Sequence, residues 1–60
     1  MNEYIIFLGK DFFARAIDIA DAYNLYNEAV DLAKVIDVDV VLTDETNAEV
    51  IEYYNPSYEM

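Results

Sequence analysis

The sequence predicts a small α/β fold of the two-layer α+β kind, in the order β-α-α-β-β. A three-stranded mixed sheet would end in a C-terminal β-hairpin, with the helices packed on one face. Three observations lead there. An apolar run near the N-terminus stops at the only glycine, the middle of the chain repeats apolar residues every three or four positions, and residues 36–54 alternate, turn and return.

Tyr4-Ile5-Ile6-Phe7-Leu8 is continuous, β-branched and aromatic, the pattern of a strand buried on both faces and therefore central. Gly9 can take the positive φ of a tight strand-to-helix turn. Asp11 is then the N-cap of a first helix, with Phe13, Ala16, Ile17, Ala20 and Tyr23 on one face and Asp18 and Asp21 on the other. Tyr26, Ala29, Val30, Ala33 and Ile36 continue the helical spacing, with Asn27 as a cap and Lys34 in the last turn. Residues 11–36 are either one long helix or two with a bend, and Asn24 and Asn27 favour the bend.

Ile36, Val38, Val40 and Leu42 alternate with Asp37, Asp39, Val41 and Thr43, which is strand periodicity. Asp44-Glu45-Thr46-Asn47 has turn chemistry, and residues 48–54 form the returning strand. Asn55-Pro56 ends it, leaving residues 55–60 as an irregular tail. The helical crossover would make the first strand parallel to the strand at 36–43.

Sixty residues make one domain, residues 1–60. A chain this short buries only ~60% of its unfolded surface, and without Cys or His it has neither disulfides nor a structural zinc site to reinforce it. A 57% hydrophobic composition with six Tyr and three Phe compensates, and homodimer formation is a further route to burial. That composition also excludes a disordered acidic tail.

Thirteen Asp and Glu against three Lys and Arg give a net charge of -10. Direct nucleic-acid binding and anionic membranes are excluded as partners, since both require bases. Met1-Asn2-Glu3 lacks the basic region of a secretory signal, and the cytoplasm is the default compartment.

Chemistry is poorly served. No triad or thiol nucleophile can be built without His or Cys, and Ser57, the sole serine, lies in the tail. Gly9-Lys10 lacks the other glycines and the Ser or Thr of a phosphate loop. Asp37-x-Asp39 starts like a calcium loop, but Val40 and Val41 stand where ligands and a sharp turn are needed. No enzyme activity, cofactor or dedicated metal site is expected.

The acids are the informative feature. Asp18, Asp21, Glu28, Asp31, Asp37, Asp39, Asp44, Glu45, Glu49 and Glu52 are the candidate partner-binding residues. Helical carboxylates three apart are ~5–6 Å from one another, near the charge spacing of a nucleic-acid strand. One reading is a solvated surface that keeps the chain soluble. The sharper one is a non-enzymatic protein that binds a basic partner, a nucleic-acid-binding protein or nuclease complex. Its size and charge resemble those of phage- or mobile-element inhibitors that mimic nucleic-acid charge, a likeness of composition without a shared motif. A second surface, aromatic and apolar, would include Tyr4, Val41, Tyr53, Tyr54 and Tyr58, with Val50 or Ile51. The alternative function rests on it: a structural or regulatory module that forms a homodimer or docks on a larger assembly through its sheet face or edge.

Overall fold

The computed structural model describes residues 3–46 and 48–59 by backbone and, except at 58 and 59, by side chain. The class is α+β, but the order is ββαββ. Strands β1 (Tyr4–Leu8) and β2 (Asp11–Ala16) precede helix α1 (Ile19–Ile36), and β3 (Val40–Asp44) and β4 (Glu49–Tyr54) follow it. The sheet has four strands, not three, in the order β2-β1-β3-β4, and every pairing is antiparallel.

The extra strand is the stretch expected to open the first helix. Gly9 (φ 64) and Lys10 form a two-residue loop with glycine in its first position, a geometry that turns a strand back on itself. Asp11 therefore begins a strand instead of capping a helix. Because β2 reverses the chain before α1, the strand that follows the helix runs antiparallel to β1, and the expected parallel pair does not form. β1 is central as expected, flanked by β2 and β3.

Asp18 is the true N-cap, its carboxylate accepting the Ala20 N–H at 2.9 Å. From there a single helix runs 18 residues without interruption, so the expected break around Asn24 and Asn27 does not occur. Asn24 and Asn27 lie within it at exposed positions, where their weak helix propensity is outweighed by burial of Ala22, Tyr26, Ala29 and Ala33 along the opposite stripe. Asp37 closes the helix in the left-handed region (φ 59, ψ 57), its N–H donating to the Ala33 carbonyl at 2.7 Å. It is a cap, not a strand residue.

α1 lies across β1, β3 and β2. Ile6, Val40 and Leu42 are fully buried beneath the alanine-rich stripe, with Ala16 beside them and Tyr4, Leu8 and Tyr54 at the margin. Small residues on the helix let it approach the sheet closely. The C-terminal hairpin forms, but its first strand starts at Val40 and not at Ile36, because α1 runs through Ile36 and Asp37 caps it. The return strand is Glu49–Tyr54, and the turn is held by the Thr46 N–H donating to Asp44 Oδ1 at 2.9 Å. The tail, expected to be irregular, makes a short 3-10 helix at Pro56–Glu59, started by Asn55 Oδ1 accepting the Ser57 N–H.

Candidate interaction surfaces

The two sides of this sheet carry different chemistry. Directly paired antiparallel residues share a face, so the register assigns each side chain. Tyr4, Ile6 and Leu8 of β1 face the helix with Asp44, Leu42 and Val40 of β3. Ile5 and Phe7 face away, so β1 is covered on one side and not on both. Across the uncovered side run two rows: Phe12, Phe7, Val41 and Tyr53, then Arg15, Ile5, Thr43 and Val50. None of these eight belongs to the buried core cluster, and the half-buried Ile5, Phe7 and Val41 do not pack against it.

Of the residues expected on an apolar surface, Val41 and Tyr53 lie on this open face, with Val50 in preference to Ile51. Tyr4 and Tyr54 do not: both pack against the core beside the helix. The side chain of Tyr58 lies outside those described. Ile5, Phe7 and Phe12 complete the face and were not expected there. The Tyr53 hydroxyl donates to Asp39 Oδ2 at 2.8 Å and accepts from Asn55 Nδ2 at 3.1 Å, which holds the ring at the rim.

The acids divide into three groups. Asp21, Glu28 and Asp31 are exposed along the outward ridge of α1, about 15 Å from first to last at 1.5 Å rise per residue. None of the three is in an ion pair, which among the described residues are two: Arg15 to Glu3 at 3.8 Å and to Glu45 at 3.9 Å. A second group has structural work: Asp18 and Asp37 cap the helix, Asp39 holds Tyr53, and Asp44 is buried and accepts the turn N–H. Asp44 is therefore not a surface charge. The third group rims the sheet. Glu49 and Glu52 are exposed on β4, Glu52 accepting from the Tyr23 hydroxyl at 3.5 Å, and Glu45 sits beside Glu3. A hydrogen bond to Glu3 raises the Glu45 carboxyl above its ordinary range, burial adds to this, and Arg15 works against it.

An open groove of about 480 Å³ lies beside the N-terminal half of α1, lined by Arg15, Ala16, Ile17, Asp21, Asn24 and Leu25. It holds one charge of each sign and no nucleophile. Among the described residues no cluster of three or more His, Cys, Asp or Glu could hold a metal ion, and no helix is long and apolar enough to cross a membrane. The fold and surfaces define a ββαββ protein with an acidic helix ridge on one side and an apolar sheet face on the other. No family model, curated protein or solved structure matches this chain.

Proposed function

We propose that this chain acts by binding, not by chemistry, and that the outer ridge of α1 meets a basic protein surface. One observation carries the reading: Asp21, Glu28 and Asp31 stand exposed and, among the described residues, outside any ion pair on a molecule of net charge -10. Glu28 and Asp31 repel each other at i,i+3 spacing and do nothing for the helix they stand on. A lysine- and arginine-lined groove relieves that repulsion on contact. In its concrete form the partner is a nucleic-acid-binding protein, and the ridge occupies the path of the phosphates.

Capture of the partner from lysate at low and at high salt tests this. Binding should weaken steeply with salt and should compete with the partner's own DNA or RNA. Reversing Asp21, Glu28 and Asp31 together to Lys should abolish capture and competition, while Phe12→Ser on the far side leaves both intact. Asp18 is left unchanged because its loss removes the helix cap. Salt-insensitive capture would rule out the acidic contact. A partner that holds this protein and its nucleic acid at once would rule out mimicry.

A further inference from the structure

We infer that the open face of the sheet is a self-association surface, on which a second copy of this chain packs sheet against sheet. The rows Phe12–Phe7–Val41–Tyr53 and Arg15–Ile5–Thr43–Val50 span all four strands with a single charged residue, Arg15, already bridged to Glu3 and Glu45. Phe12, Val50 and Tyr53 are 60%, 62% and 49% exposed. An aromatic side chain offers ~150–250 Å², so with the half-buried Ile5, Phe7, Val41 and Thr43 the face presents roughly 400–500 Å². Two copies would bury about 900 Å², below the ~1,200 Å² at which stable specific interfaces begin and the size of a weak, reversible dimer.

Charge selects the face on which a second copy can pack. Two molecules of net charge -10 meet at least cost where their acids are already engaged, as Glu3 and Glu45 are by Arg15 and Asp39 is by the Tyr53 hydroxyl, whereas the α1 ridge and the β4 rim would set acids against acids. Stacked sheets lie ~10 Å apart. With a helix on the far side of each, the two acidic ridges end ~30 Å apart and face opposite ways. That is several Debye lengths at physiological ionic strength, so their repulsion is largely screened. The aromatic row could also suit stacked bases, but a face with one base that is already neutralised repels phosphates.

Sedimentation equilibrium on the full chain, from about 5 µM to about 500 µM at low and high salt, tests the inference. A monomer–dimer equilibrium is expected, and it should tighten as salt rises. Each substitution in a two-fold interface occurs twice, so Phe12→Ser and Val50→Glu should each weaken the dimer by about tenfold or more. Both side chains are already exposed, and circular dichroism should show the fold retained. Val35→Glu, the same change in charge on α1 at a position 82% exposed, should leave the dimer unaltered. A monomer at every concentration overturns the inference. So does a dimer that Val35→Glu disrupts and the face variants leave intact. Binding of a single-stranded oligonucleotide by a monomer, lost in Phe12→Ser, would overturn it too and give the face to nucleic acid. None of these outcomes bears on the acidic ridge, whose binding is read by the opposite response to salt.

Discussion

Replacing Asp37 by glycine should stabilise this domain by about 1 kcal/mol. Asp37 ends α1 at φ 59, ψ 57, with its N–H on the Ala33 carbonyl, and the Val38 N–H reaches the same oxygen at 3.3 Å. Left-handed backbone costs an L-residue ~1–2 kcal/mol, with Asp at the low end because its short side chain bonds locally. Its carboxylate also stands at the negative end of the helix dipole, which is unfavourable by ~0.3–1 kcal/mol at an exposed site. Glycine removes both costs and adds back ~0.4–1 kcal/mol through the greater freedom of the unfolded chain. The balance is a gain of about 1 kcal/mol, or a rise in Tm of roughly 4–8 °C for a domain of this size. Asp37→Asn separates the two contributions. Asparagine tolerates the left-handed region as aspartate does, so this variant removes the charge alone and should give about half the gain. Thermal melts and urea titrations of the three proteins, followed by circular dichroism, supply the comparison. If glycine and asparagine both match or fall below the parent, the carboxylate is making a favourable contact and the capping account of Asp37 is wrong.

Four further outcomes follow from the same structure. The Tm should be higher in about 0.5 M than in about 10 mM sodium chloride, since screening relieves repulsion among carboxylates; an equal or lower value would mean that they are paired. Leu42→Ala should leave little folded protein at 37 °C, because a cavity costing ~2–5 kcal/mol is set against a total of ~3–9 kcal/mol for sixty residues; a full native baseline in urea would contradict the core assignment. Burial, with help from Glu52, holds the Tyr26 phenol above its ordinary value, so the native state keeps a proton that the unfolded chain loses near pH 10. Stability should fall as pH climbs through the raised value, and Tyr26→Phe should flatten that fall in an alkaline urea series. Glu45 has the same sign in the acid range: its contribution is full below the ordinary carboxylate value and lost as pH rises through the raised one, so Glu45→Gln should flatten the stability profile just above pH ~4.5.

β1, the C-terminal hairpin and the buried stripe of α1 were legible because each has a local cause: a β-branched run, Asx turn chemistry at Asp44, and Tyr26, Ala29 and Ala33 at helical spacing. β2 was not. Phe13 and Ala16 happen to share helical spacing with Ile17, Ala20 and Tyr23, yet pairing with β1 decides the conformation of residues 11–16, and no periodicity reports pairing. The signal that could have exposed the error is short. Leu8-Gly9-Lys10-Asp11 is a Gly-X hairpin loop between two apolar runs, and Asp18, not Asp11, stands before the uninterrupted helical pattern. The candidate surfaces divide in the same way. Exposure of Asp21, Glu28 and Asp31 follows from helical spacing alone. The burial of Asp44, and the placement of Tyr4 and Tyr54 on the helix side, depend on strand register. Phe12 was missed with β2, and Ile5 and Phe7 were missed because β1 was expected to be covered on both faces.

The topology sets the relation between the two surfaces. A single helix covers one side of a four-stranded sheet, so every outward residue of α1 is separated from the open face by the thickness of the core. Self-association on that face would leave Asp21, Glu28 and Asp31 as accessible in a dimer as in a monomer. Because the two ridges would then point in opposite directions, one basic groove could engage only one of them. A dimer should therefore take up two partners independently, with no gain from avidity. Salt acts on the two contacts with opposite sign. It weakens attraction between the ridge and a basic partner, and it strengthens contact between two acidic copies by screening what separates them. One salt titration that follows both association states thus distinguishes an acidic ridge that recognises a partner from a net charge that only keeps copies apart. If the ridge does no more than the latter, partner binding will be flat across the range in which self-association rises.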